Sequence, residues 1–141
     1  MSKIKKQEVN NILISLSEEA KVALRPLLHV VIQKNNRSIY ATQGTKKYFN
    51  EGGTKGMIVV AKFSQNDDEE FLETIKIQDV IKSKLVSLII NIPSGNFEKN
   101  EYDSPSERTD GETIRQLACD YGIPLITCPK QAFDVLYDLA N

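Results

Sequence analysis

The residues best suited to chemistry form one short stretch, Thr42-Gln43-Gly44-Thr45. The apolar run Ile39-Tyr40-Ala41 leads into it as a buried strand, and 46–51 continues as a helix. A strand entering a helix through a Gly/Thr turn aims free backbone N–H groups at one point. That point also feels the positive end of the helix dipole, so it suits an anion, above all a phosphate. Thr42 and Thr45 add hydroxyl donors on either side of Gly44. The same residues also fit an ordinary turn in which Thr45 serves as the helix N-cap.

Other candidates stand at predicted strand ends. Ser15 closes the first apolar run, Lys62 follows the third, and Asn91-Ile92-Pro93-Ser94 closes the fourth. Asn91 is polar inside an otherwise apolar strand, so it is either bonded within the loop network or directed at a ligand. Lys62 either faces water or reaches the same edge. His29, the one histidine, lies on a helix and reads as partly exposed. Five acids, Asp67, Asp68, Glu69, Glu70 and Glu73, crowd 64–73, but their spacing is not that of a calcium loop and no glycine accompanies them. We read 64–73 as a solvated, mobile loop.

The elements that must position these residues alternate strand and helix five times. Strands are expected at 11–16, 39–41, 57–61, 86–92 and 125–127. The spacing predicts a short helical turn over 18–24 and a main helix over 25–34, because Pro26 suits a first turn. Further helices are expected at 46–51, 75–84, from Thr109, and from Pro129. Thr109 and Glu112 have the spacing of a capping box, and 96–108 reads as a polar loop. Ile114, Leu117, Ala118 and Tyr121 line one helical face. The last helix has the stripe Ala132, Phe133, Val135, Leu136 and Leu139. Such alternation predicts an α/β fold: a doubly wound, five-stranded parallel sheet between two layers of helices, spanning 11–141 after a flexible tail at 1–10. In such folds ligands bind beyond the carboxyl ends of the strands.

Composition narrows the function. The 141 residues are 40% hydrophobic and 26% charged, with a net charge of −1. That gives no broad basic surface for nucleic acid. The apolar runs are too short to cross a membrane. Cys119 and Cys128 are too far apart for a CxxC motif and fit reduced cytoplasmic thiols. G-x-G-x-x-G and the P-loop pattern are both absent from the sequence. Nothing points to a cofactor or a metal.

Three stretches carry a family likeness: Ile39-Tyr40-Ala41-Thr42-Gln43-Gly44-Thr45, Ile89-Ile90-Asn91-Ile92-Pro93-Ser94-Gly95, and the run from Thr113 to Thr127 that contains Gly122-Ile123-Pro124. Together they resemble the methylglyoxal-synthase-like domain, and within it most of all the carboxyl-terminal regulatory domain of the carbamoyl-phosphate synthetase large chain. The resemblance implies an allosteric effector site at the carboxyl edge of the sheet, in a domain that partners the synthetase domains. By this likeness Ser15, Lys21, Thr42, Gly44, Thr45, Lys62, Asn91 and Ser94 are the effector-site positions. Lys62 matches a phosphate-binding lysine, where acetylglutamate-dependent relatives carry an aromatic residue. The implied ligand is therefore a phosphorylated effector, a nucleotide by preference. The synthase branch matches less well. Asp110 matches one of its catalytic carboxylates, the other falls near Thr74, and its histidine falls near Glu107. The resemblance thus implies binding without catalysis, with a lyase or a freestanding binding module as the alternatives.

Overall fold

The computed structural model describes residues 9–34, 36–93 and 105–141, excepting the side chains of 105–110. Five parallel strands, β1 (Ile12–Leu16), β2 (Ile39–Thr42), β3 (Ile58–Val60), β4 (Leu88–Ile92) and β5 (Leu125–Ile126), lie in the order β3-β2-β1-β4-β5. Helices α1 (Glu18–Gln33), α2 (Gln43–Glu51) and α5 (Pro129–Ala140) cover one face, where Leu24, Phe49 and Leu136 join Ile12, Ile14 and Ile90. Helices α3 (Ile77–Lys82) and α4 (Pro105–Asp120) cover the other, where Ile77, Val80 and Ile114 meet Leu13 and Ile89. The expected α/β architecture is the observed one. Both sheet faces are covered, which is why β1 and β4 are near-continuous apolar runs.

The chain winds outward from β1 through β2 to β3, then returns across the sheet to place β4 on the other side of β1. The direction of winding reverses between β1 and β4, the point at which sheets of this kind part their crossover helices and seat their ligands. Ser15 and Asn91 are register partners at that point. Alternation along the strands sends both toward the α3/α4 side, since their neighbours Leu13 and Ile89 pack there.

Several local expectations are corrected. Helix α1 is continuous from Glu18, with Pro26 inside it. Pro26 has no N–H for the carbonyl of Val22, and Val22 is 63% exposed, so water can serve that carbonyl. Ser17 caps the helix by accepting from the Ala20 N–H at 3.3 Å. Helix α2 begins at Gln43 with Thr42 as its N-cap residue, so Thr45 lies inside the helix and is not its cap. Helix α4 begins at Pro105, so 105–108 is helical rather than loop, and Thr109 sits too far in to be a cap. A proline at the first helical position costs no hydrogen bond, which explains the earlier start. Phe133 leaves the expected stripe and is 45% exposed, stacked on Tyr137.

The acidic segment 64–73 is more organised than a solvated loop. Two 3-10 turns, Phe63–Gln65 and Glu69–Phe71, frame it, and Phe71 is buried. At the start of the chain, Val9 packs into the core and the Asn10 N–H donates to Ser87 Oγ at 2.7 Å. Both were assigned to the tail, so the ordered body reaches back at least to Val9. Residues 94–104, with Ser94 and most of the expected polar loop, lie outside the described residues, as do 1–8.

Candidate functional site

The carboxyl ends of β1 and β2 bring four of the sequence-nominated residues together. Thr42 ends β2 and Thr45 is the third residue of α2; both are buried. The Thr45 hydroxyl accepts the backbone N–H of Leu16 at 3.2 Å and the Thr42 hydroxyl at 3.2 Å. A hydroxyl has two lone pairs and one proton. One proton bridges the two threonine hydroxyls, so the pair keeps one proton to donate. That polarity suits an anion.

Lys21 comes from the second turn of α1. It is only 7% exposed, and its Nζ lies 3.8 Å from the point where a side chain on Gly44 would begin. The ammonium thus stands over the N-terminal turn of α2, beside the free amides of that turn. Its one ion-pair partner among the described residues is Glu18 Oε1 at 2.7 Å, and the Glu18 side chain is 80% exposed. A charge this buried is costly without a counter-charge. A solvent-exposed carboxylate is a weak one and can be displaced by a bound anion.

Ser15 and Asn91 form a second cluster on the other side of β1. Asn91 is 5% exposed; its Nδ2 donates to the Ser15 carbonyl at 3.4 Å, and its Oδ1 accepts from Arg115 Nη1 at 2.7 Å. Arg115 was missed as a site residue. Its signal was available: it directly follows Ile114 of the buried stripe, so it sits at the margin of the α4 face that meets the sheet. Lys62 lies on the same edge, two residues beyond Val60, the register partner of Thr42. It is half-buried, and its N–H donates to Gln65 Oε1 at 3.0 Å. The hydrogen bonds do not tie it to either cluster.

A separate open groove of about 380 Å³ runs along the outer side of α2, between Lys46, Lys47, Asn50, Phe71 and Thr74. It meets the first cluster only at Gln43. Among the described residues, no three of His, Cys, Asp and Glu gather as metal ligands. Among the same residues, no helix is long and apolar enough to cross a membrane. Cys119 and Cys128 are both free and exposed.

Of the residues bearing on a lyase, His29, the one histidine, and Thr74 lie apart from each other. His29 lies eleven residues past Glu18 on α1, so about 17 Å along the axis from the end that meets the carboxyl edge. Its Nδ1 pairs with Thr54 Oγ1 at 2.9 Å instead. Asp110 and Glu107 fall in the first turns of α4, and their side chains lie outside the described residues. Thr74 lines the outer groove.

The MGS-like domain model matches residues 29–127. The chain belongs to the MGS-like domain family. As an MGS-like domain it is 32% identical over 116 residues to the carbamoyl phosphate synthase large chain of Synechocystis, covering 82% of this chain and 9% of that protein. It is 34% identical over 131 residues to the multifunctional protein pyr1-3 of Dictyostelium discoideum, covering 89% of this chain and 5% of that one. The carboxyl-terminal section of the large chain from Methanocaldococcus jannaschii is 33% identical over 122 residues, covering 84% and 16%. The chain therefore spans a small part of the curated relatives it matches. Among solved structures, methylglyoxal synthase from Elizabethkingia anophelis shares the fold with a TM-score of 0.63 at 18% identity, covering 92% of this chain and 78% of that one.

Proposed function

We propose that this MGS-like domain binds an allosteric effector for a carbamoyl-phosphate synthetase, and that the effector is phosphorylated, a nucleotide in the first instance. Its phosphate lies over Gly44, takes the proton that the Thr42–Thr45 pair keeps and backbone N–H groups of the first turn of α2, and is neutralised by Lys21. Ser15, Thr42 and Asn91 complete the wall toward β4. Lys62 supplies charge from the β3 side, and Ser94 closes the rim. The observation that carries this reading is the buried Lys21 ammonium above a glycine, balanced among the described residues by a solvent-exposed glutamate alone. Similarity to large chains of carbamoyl phosphate synthase and to pyr1-3 supports the synthetase context. In that context the partners are the synthetase domains of a cytoplasmic enzyme of pyrimidine or arginine biosynthesis, and the domain itself performs no chemistry.

The non-catalytic reading follows from proton transfer. An acid or base must lie within hydrogen-bond reach of the proton it moves. His29 is paired with Thr54 far along α1, and a threonine, Thr74, stands near where the second carboxylate is expected. A thermal-shift screen of uridine and purine monophosphates against the matching nucleosides tests the proposal. A ligand that binds only the native state raises the melting temperature. At least one nucleotide should raise it and its nucleoside should not; equal shifts from both contradict a phosphate site.

A further inference from the structure

Resting on the anion-cradle reading above, we propose that Arg115 is a second cation of the site, which reads a second anionic group on the ligand. Asn91 is then its positioning residue. One N–H of the Asn91 amide goes to the Ser15 carbonyl, and its Oδ1 accepts from Arg115 Nη1. The amide thereby fixes a guanidinium at the switch point while keeping a second N–H, and that guanidinium uses one of its five N–H donors on Asn91.

Gly111 provides the room. A Cβ there would stand 3.2 Å from Arg115 Nη1, 3.6 Å from Nη2 and 3.7 Å from Cζ, so the guanidinium lies flat against the bare backbone one turn earlier in α4. Glycine inside a helix weakens it, and here it permits the arginine to fold toward β4. The two cations are held on opposite sides of β1: Lys21 above the β2–α2 turn, Arg115 at the end of β4. Strands β2 and β4 are two spacings apart, roughly 10 Å. One phosphate seated over Gly44 does not span that gap, whereas a ligand with anionic groups at both ends does. Guanidinium recognises an oxyanion through parallel N–H donors, so the second group is a phosphate or a carboxylate.

Calorimetric titration with two probes tests the idea: ribose 5-phosphate, with one anionic end, and ribulose 1,5-bisphosphate, with two. The parent chain is expected to bind the bisphosphate more tightly. Arg115→Gln, which keeps a donor for Asn91, is expected to lose about tenfold or more on the bisphosphate and little on ribose 5-phosphate. Lys21→Gln is expected to weaken both. Gly111→Ala should reduce bisphosphate affinity by displacing the guanidinium, while its melting temperature stays level or rises. If Arg115→Gln binds the bisphosphate like the parent while Lys21→Gln does not, Arg115 is not a ligand residue and the cradle stands. If only Arg115→Gln weakens binding, the cradle is wrong and Arg115 is the cation of the site. A parent chain that binds neither probe overturns both.

Discussion

Lys21 Nζ stands 3.8 Å from the place where a side chain on Gly44 would begin. A Cβ there would be in ordinary van der Waals contact with the ammonium, so a bulkier, branched side chain would crowd the cation and the amides beside it. The backbone at Gly44 is not in the left-handed region, so larger residues are conformationally allowed there. Gly44→Val should therefore keep the fold while blocking the cradle. Circular dichroism and melting temperature check the first half, and nucleotide titration the second. A valine variant that binds like the parent would put the ligand elsewhere.

Glu18 competes with any anion for Lys21, because it pairs with the ammonium from an exposed position. Removing it frees the cation and lifts a repulsion. Exposed ion pairs contribute about 0.2–1 kcal/mol, so Glu18→Gln should tighten nucleotide binding roughly 1.5- to 5-fold. Calorimetry at low ionic strength measures it; weaker binding in Glu18→Gln would show that the glutamate orients Lys21 productively.

Thr45 has a structural duty that its sequence position hides. It accepts the buried Leu16 N–H and so ties the end of β1 to α2. Thr45→Val leaves that N–H without an acceptor, at a cost of about 1–3 kcal/mol, whereas Thr45→Ser keeps the acceptor. Chemical denaturation distinguishes them. A valine variant as stable as the parent would mean that the Leu16 contact contributes nothing.

Periodicity and punctuation make most of the fold legible in the sequence, because the apolar runs of β1 and β4 and the stop at Gly122 are local signals. Gly122 has φ 66°, a conformation that glycine adopts freely. The errors came where tertiary contacts outweigh local signals. The acids of 64–73 conceal Phe71, which is buried and shares the outer groove with residues of α2 and β3. Thr45 resembled a cap because spacing does not show that β1 supplies it with an N–H. Lys21, Thr42, Gly44 and Thr45 were all nominated from sequence and do meet. Arg115 was passed over because its partner, Asn91, lies 24 positions away.

Phe71 should govern the order of 64–73. Phe71→Ala removes a buried ring that lies outside both packed core clusters, so the loss should fall below the roughly 3–5 kcal/mol of a core phenylalanine. Hydrogen exchange should then quicken across 64–73 while β1 and β4 remain protected. Uniform loss of protection would mean that Phe71 belongs to the global core.

Dihydroxyacetone phosphate should not be converted to methylglyoxal, since His29 stands remote from the carboxyl edge. A colorimetric methylglyoxal assay decides this. Turnover that vanishes in Asp110→Asn would establish a lyase.

The most direct test of the phosphate cradle is calorimetric titration of the best nucleotide from the thermal-shift screen into the parent chain and Lys21→Gln. A charged hydrogen bond contributes about 1.5–3 kcal/mol, so the variant should bind roughly 10- to 150-fold more weakly, with an unchanged fold. Equal affinity in Lys21→Gln would contradict the account: the buried lysine would be a structural charge, and Thr42-Gln43-Gly44-Thr45 only a turn.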